Sequence, residues 1–174
     1  MFYLLDIHEK VGVEVQKMGS DIKESLKEKL EEIHIKENNG VFLGVEEIKK
    51  VSEEGDILPE EPYIFFDVEY TALFFQPLQN EIVEGIVSDV AEFGPFVKIG
   101  PIDALVHISQ ITKEKMVYNP KQDVITNKNG KLVIQKNDIV RAMVVSSSIS
   151  QERVKVSLSM KGEGLGPLKW IKKK

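Results

Sequence analysis

The sequence predicts an α+β chain in two parts: a small antiparallel sheet with one main helix over residues 1–80, then a small five-stranded β-barrel over residues 81–174. Charge divides the chain at Asn80. Residues 1–80 hold eight lysines against eighteen carboxylates, a net of −10, whereas residues 81–174 hold fifteen cations against ten carboxylates, a net of +5. Hydrophobic periodicity agrees with that division, because the first part carries a helix-spaced stretch between strand-like runs and the second carries five short alternating runs.

In the first part, FYLLDI and VGVEVQ read as two short strands separated near Glu9 and Lys10. Ile22, Leu26, Leu30 and Ile33 then recur at helical spacing. Asp21 followed three residues later by Glu24 makes a capping box, with Ser20 as a rival cap. Lys23, Lys27, Glu28, Glu31 and Glu32 fall on the opposite face and read as solvated surface. Asn38-Asn39-Gly40 breaks the chain before the strand VFLGVEEIKKV, and Ser52 to Pro62 reads as an acidic loop. The next strand, YIFFDVEYTALFF, is apolar along both faces. With the helix on one side it would leave Phe74 or Phe75 for something else, so the acidic half is expected to dock on another surface.

Gln76-Pro77-Leu78 marks the joint. Beyond it, Ile82 to Val90, Pro95 to Ile99, Ala104 to Ile108, Ile139 to Val145 and Val154 to Ser159 are strand candidates, which suits a closed or partly open barrel of the oligonucleotide-binding (OB) kind. The insertion from Thr112 to Lys136 reads as a hairpin, because Asn129-Gly130 ahead of KLVI is a turn signal.

The richest stretch is EFGPFVKIGPIDALVHISQ, residues 92–110. Alternation turns Val97 and Ile99 one way and Phe96 and Lys98 the other; in its second half Ala104, Val106 and Ile108 point inward, and Leu105, His107 and Ser109 outward. An aromatic beside a cation on an open sheet suits an unpaired base stacked on the ring with its phosphate nearby. Burial of Phe96 and His107 under a loop or a neighbouring domain satisfies the same alternation.

Other chemistry finds little footing. No uncharged run approaches the ~20 residues of a membrane helix, and the N-terminus lacks the basic start and small-residue cleavage site of a signal peptide, so a soluble chain without a membrane partner is expected. The absence of cysteine removes disulfides, thiolate nucleophiles and cysteine-ligated zinc. His8, His34 and His107 lack metal-ligand spacing. The doublets Glu31-Glu32, Glu46-Glu47, Glu53-Glu54 and Glu60-Glu61 read as solvated charge. There is no P-loop and no clustered aspartate motif, so no catalytic residue, metal or cofactor is expected. The closing GEGLGPLKWIKKK reads as an apolar end tucked across the barrel with a solvated basic tail; alternatively Trp170 packs on a partner while Lys172 to Lys174 add phosphate attraction.

From Gly85 to Lys161 the chain resembles the S1-type RNA-binding OB-fold. EGIVSDVAEFGPFV fits its opening strands, LVHIS its third, and KNDIVR with VSLSMK its last two. The resemblance implies RNA contact by Phe93, Phe96 and His107, with Lys98 beside them. Where that family often has an aspartate and an arginine near the last two strands, this chain has Ser148 and Lys155, with Arg153 nearby; the cationic part of a phosphate contact is kept and the carboxylate is lost.

The whole chain resembles the larger stalk subunit of archaeal and eukaryotic nuclear RNA polymerases, called E-prime in archaea. The start FYLLDI, the helix and strand order of residues 20–75, the joint Phe75 to Pro77, the run EFGPFVKIGPIDALVHISQI, the insertion's Tyr118-Asn119-Pro120 and the closing GLGPLKWI carry it. EVQKMGSDI and ILPEEPY depart from the family's proline-containing stretch and glycine-rich turn. The resemblance implies an RNP-like tip domain, residues 1–80, that docks on the polymerase core, followed by the RNA-binding barrel. It implies a heterodimer with the smaller stalk subunit, F in archaea; the partner contacts read from the residues themselves are Phe74, Phe75 and Trp170. It also implies a hold on single-stranded nascent RNA, work with initiation factors, support of processivity and termination, and residence in the archaeal cytoplasm or the eukaryotic nucleus. An exosome RNA-binding cap and a translation initiation factor subunit are the alternatives. The chain lacks the GxxG loop of K-homology caps, and the initiation factor would be expected to lead with its barrel.

Overall fold

The computed structural model describes residues 1–17, 21–33, 40–150 and 153–171. Ser20, His34, Asn38, Asn39 and Lys172 to Lys174 lie outside the described residues. The chain divides into two compact units, Met1–Gln76 and Pro77–Lys174.

The first unit runs β1 (Phe2–Glu14), α1 (Ile22–Ile33), β2 (Val41–Val51), β3 (Asp56–Ile57) and β4 (Tyr63–Phe75). β4 is central. β1 pairs with it antiparallel from Phe2 opposite Phe75 to Glu14 opposite Tyr63; on its other edge β2 takes the later residues and β3 takes Ile64 and Phe65. The two strands expected before the helix are therefore one. Glu9 and Lys10 do not turn the chain, because each finds a partner from a distant segment: Glu9 accepts from the Tyr70 hydroxyl at 2.6 Å, and Lys10 pairs with Asp56. Asp56 also shows that the acidic loop carries a short strand.

α1 covers one face of this sheet. Asp21 starts it, its Oδ1 accepting the Lys23 amide at 3.1 Å and its carbonyl the Ser25 amide at 3.2 Å. Leu26 and Leu30 are buried among Val11 and Val13 of β1, Phe42 and Val45 of β2, and Val68, Tyr70 and Ala72 of β4. The structure also corrects the expectation that Phe74 or Phe75 is left over: both are buried. A central strand has neighbours on both edges, and these cover its rings. Tyr3 stacks on Phe74 at 6.1 Å and Phe42 meets it edge-on at 5.5 Å, while Phe2 lies tilted on Phe75 at 4.9 Å.

The second unit contains β5 (Ile82–Ala91), β6 (Gly94–Ile99), β7 (Ile102–Val106), β8 (Met116–Asn119), β9 (Val124–Asn127), β10 (Val133–Ile134), β11 (Ile139–Ile149), β12 (Val154–Ser159), β13 (Gly166–Pro167) and the four-residue α2 (Leu168–Ile171). β12, β7, β6, β5 and β11 pair in that order, and β11 also pairs β12, so five strands close into a barrel. Only the β7–β12 edge is parallel among these pairings. Alternation fills the interior with Val87, Val97, Ile99, Ala104, Val106, Val140, Ala142, Val144, Val156 and Leu158, all buried.

The insertion between β7 and β11 is the expected hairpin, β9 with β10, extended by β8 into a three-stranded sheet. Its turn is closed by the Gly130 amide on the Asn127 carbonyl at 3.0 Å, with Gly130 at φ +68°. Ile125 and Ile134 are fully buried, so the insertion has its own packed side. The C-terminal α2 is anchored to the barrel by Lys169 on Asp138 at 2.6 Å.

Leu30→Ala is expected to destabilise the first unit by about 2–5 kcal/mol, read by chemical denaturation, because a fully buried leucine leaves a cavity. Lys27→Ala, on the exposed face of α1, should change it by less than about 0.5 kcal/mol.

Candidate nucleic-acid interface

Three barrel strands present the predicted residues. In β6 Val97 and Ile99 face the core, so Phe96 and Lys98 face outward, the first half-buried and the second exposed. In β7 Ala104 and Val106 face inward, and Asp103 and Leu105 outward. In β12 Val156 and Leu158 are buried, which turns Lys155 and Ser157 outward.

Register places these side chains in two rows. Phe96 lies opposite Leu105, and Leu105 beside Ser157, giving an aromatic–aliphatic–hydroxyl row. Lys98 lies opposite Asp103. Two positions back along the parallel pair, Lys155 falls at the level of Asp103, so the second row runs cation, carboxylate, cation. The carboxylate is further held by Ser88, whose hydroxyl donates to Asp103 Oδ1 at 2.8 Å. Arg153 is exposed just before β12, in the turn where its amide meets Ser150 Oγ at 3.3 Å. Directly across the hairpin from Lys155 is Ser148, a short hydroxyl that leaves the lysine without a carboxylate neighbour at that position.

Phe93 and His107 complete the upper end. Phe93 is exposed in the β5–β6 turn, and its ring meets Phe96 edge-to-face at 5.7 Å. Its carbonyl accepts the Ile108 amide at 2.8 Å, which ties the turn to the end of β7 and sets His107 at the same end of the wall. Gly94 makes this possible. A Cβ there would stand 1.9 Å from the Val106 carbonyl oxygen, and the residue adopts φ +143°. His107 itself differs from expectation, because β7 ends at Val106 and the histidine caps a single 3₁₀ turn, Ile108–Gln110. Its Nδ1 accepts the Ser109 amide at 3.3 Å and lies 2.8 Å from Ser109 Oγ, a local contact that competes with continuation of the strand. The ring remains exposed.

This arrangement offers one exposed ring, a second ring edge-on beneath it, an imidazole and three cations on one barrel wall. Such a surface can stack bases and attract phosphates without reading base edges. It does not include Trp170, which is half-buried on α2 with its ring 3.4 Å from where a Gly166 Cβ would be. That position matches the tucked-end reading. Phe74 lies in the first unit's core, and Phe75 is buried with its ring against the exposed Phe2. Missed by the sequence reading was a stripe on the β5–β11 wall, where Ile86 opposes Ile139 and Ile82 opposes Met143. Ile82, Ile86 and Ile139 are each half or more exposed. Strict alternation in KNDIVRAMV, residues 136–144, was the available signal for it.

No group of three or more histidines, cysteines, aspartates or glutamates among the described residues is placed to hold a metal ion. No described helix is long and apolar enough to cross a membrane.

Set against known proteins, residues 76–161 match the S1 RNA binding domain. The chain is 40% identical to the DNA-directed RNA polymerase subunit Rpo7 of Sulfolobus acidocaldarius, over 76% of this chain and 72% of that one. It is 33% identical to the Rpo7 subunit of Saccharolobus shibatae over 98% of this chain and 97% of that one. The RNA polymerase II subunit rpb7 of Schizosaccharomyces pombe is 28% identical over 67% of each.

Gly94→Val is expected to unfold or strongly destabilise the barrel, whereas Phe96→Ala, at a half-exposed position, should cost little. Thermal denaturation of the two variants side by side checks the assignment of one to packing and the other to the surface.

Proposed function

The chain belongs to the Rpo7 family of DNA-directed RNA polymerase subunits, and we propose that, as the larger, non-catalytic subunit of the polymerase stalk, it docks through its first unit and holds emerging single-stranded RNA on its barrel. The observation that carries the RNA reading is the convergence of Phe93, Phe96 and His107 on one wall with Lys98 and Lys155 in the adjoining row. Stacking worth ~1–3 kcal/mol per base is sequence-tolerant, which suits a strand that must keep moving. Catalysis of nucleotide addition belongs to other subunits.

Exposed apolar residues support the assembly reading. Val15, Ile57 and Leu58 are all exposed and gather at one end of the first unit's sheet: Ile57 pairs with Ile64, Glu14 with Tyr63, and the Val15 amide reaches the Pro62 carbonyl at 3.3 Å. This end is the docking surface for the polymerase core. The stripe Ile82, Ile86 and Ile139 on the barrel is the surface a smaller stalk subunit would cover, since apolar groups lined up on a sheet mark a protein contact. Nascent transcript and initiation factors are the further partners. The setting is the cytoplasm of an archaeon or the nucleus of a eukaryote.

Capture of the tagged chain from its source cells should recover large polymerase subunits and one small partner; exosome or ribosomal proteins in their place would overturn the assembly reading. Ile57→Glu should reduce recovery of the large subunits about tenfold or more, because burial of an isoleucine contributes roughly 1.5–3 kcal/mol. Recovery at full strength by residues 81–174 alone would refute docking through the first unit. In a binding titration, Phe96→Ala with His107→Ala should weaken single-stranded RNA binding about tenfold or more, with the barrel still folded. An unchanged affinity would remove these two residues from the RNA face.

A further inference from the structure

Around the Phe96 wall charge nearly cancels. Lys98, Arg153 and Lys155 are exposed there, but so are Asp89, Glu92 and Asp103. The positive charge of the second unit sits elsewhere, in the insertion. Residues 112–136 contain six lysines, at 113, 115, 121, 128, 131 and 136, against Glu114 and Asp123. Neither carboxylate neutralises a lysine in the structure: Glu114 accepts from Asn127 Nδ2 at 2.7 Å, and Asp123 accepts from the Tyr118 hydroxyl at 2.8 Å. All six lysines are exposed, and none has a carboxylate partner among the described residues.

The fold gathers four of them. Met116 pairs with Asn127, and the Asn127 amide donates to the Leu132 carbonyl at 3.1 Å. Lys113 and Lys115 precede β8, and Lys128 and Lys131 lie in the β9–β10 turn, so the four share one end of the small sheet. An open cleft begins at that end, lined by Ile111, Met160 and Trp170, by Lys113 and Lys161, and by the carboxylates Glu114, held by Asn127, and Glu163. It continues the Phe96 wall, because His107 caps the single turn that leads to Ile111, and the Met160 amide donates to the Gln110 carbonyl at 2.8 Å.

We propose that this cleft and its lysine corner form a second subsite for single-stranded RNA, which takes the phosphodiester backbone of the strand lying on Phe96 and His107. Lys113 and Lys161 hold phosphate at the cleft, Lys115, Lys128 and Lys131 hold it at the rim, and the Trp170 indole supplies an apolar floor for a sugar or base. The proposal rests on the RNA reading of the barrel and assigns a division within it: stacking at the wall, phosphate attraction at the insertion. An acidic protein segment meets the same charge, but the cleft's continuity with the stacking wall favours the nucleic acid.

The test is a binding titration of the full chain with oligouridylates of about 5 and about 15 nucleotides across a range of salt. For single strands the slope of log affinity against log salt is about −0.7 per neutralised phosphate. Replacing Lys113, Lys128, Lys131 and Lys161 by glutamine should make the slope for the longer strand shallower by about 2–3 while leaving the shorter strand's affinity nearly unchanged. Phe96→Ala should weaken both strands and leave the slope alone. A quadruple variant with the wild-type slope overturns the subsite while the Phe96 result still stands for the wall. A wild-type chain that binds neither strand at low salt overturns the RNA reading and the subsite together.

Discussion

Barrel closure depends on one strand. β11 pairs with β5 over its first half and with β12 over its second, and without that double pairing the sheet would stay open at both edges. The change of partner needs a bend, supplied by the register shift between Val144 and Ser146. Once the ring is closed, each strand has one face in a core too small for anything but aliphatic side chains. Phe96, Lys98, Leu105 and Lys155 are then outside by necessity. The candidate interface is thus a consequence of closure, and the approach of Gly94 to Val106 adds the turn that brings Phe93 and His107 to its upper end.

Much of this was legible in the chain. Alternation alone separated Phe96 and Lys98 from Val97 and Ile99, since a strand that lines a closed core tolerates no register error. Leu26 and Leu30 declared α1 through their spacing, and Asp21 declared its start. The failures share a cause. Glu9 and Lys10 looked like a break because their partners, Tyr70 and Asp56, are remote in sequence. Phe74 and Phe75 looked surplus because the rings that cover them come from β1 and β2. His107 is the local exception: a contact with Ser109 two residues on ended the strand at Val106, two residues before the expected Ile108. The third strand of the insertion was missed because β8, at four residues, has too short a pattern to stand out from its loop.

The division of charge along the chain has a physical counterpart in the separation of tasks. Carboxylates dominate the first unit, where phosphate would be repelled and protein contact depends on exposed apolar groups such as Ile57. In the second unit the cations are distributed unevenly: they balance carboxylates at the stacking wall and stand unopposed at the insertion. A wall with little net charge grips through ring faces, which every base possesses, so its hold is insensitive both to sequence and, largely, to salt. Unopposed lysines act at longer range and are screened by salt over about 10 Å at 0.1 M. On the proposed division of tasks, a strand held by both would be guided without being locked in register.

The apolar stripe on the β5–β11 wall places a further demand on the molecule, because alternation that exposes Ile82, Ile86 and Ile139 to a partner exposes them to water when the partner is absent. Between them sits Arg141, which meets Glu84 through both Nε and Nη2, at 2.9 and 2.7 Å. As an exposed pair it adds little stability. Its position matters more: it sits between the pairs Ile86–Ile139 and Ile82–Met143, a charged interruption at the middle of the apolar stripe. A partner that covers the stripe must also match an ion pair at its centre in which Arg141 Nε and Nη2 both donate to Glu84 Oε1, and one that buries those charges without hydrogen-bonding them loses more in desolvation than the isoleucines return. In the proposed assembly the same pair would therefore select what can close over the wall.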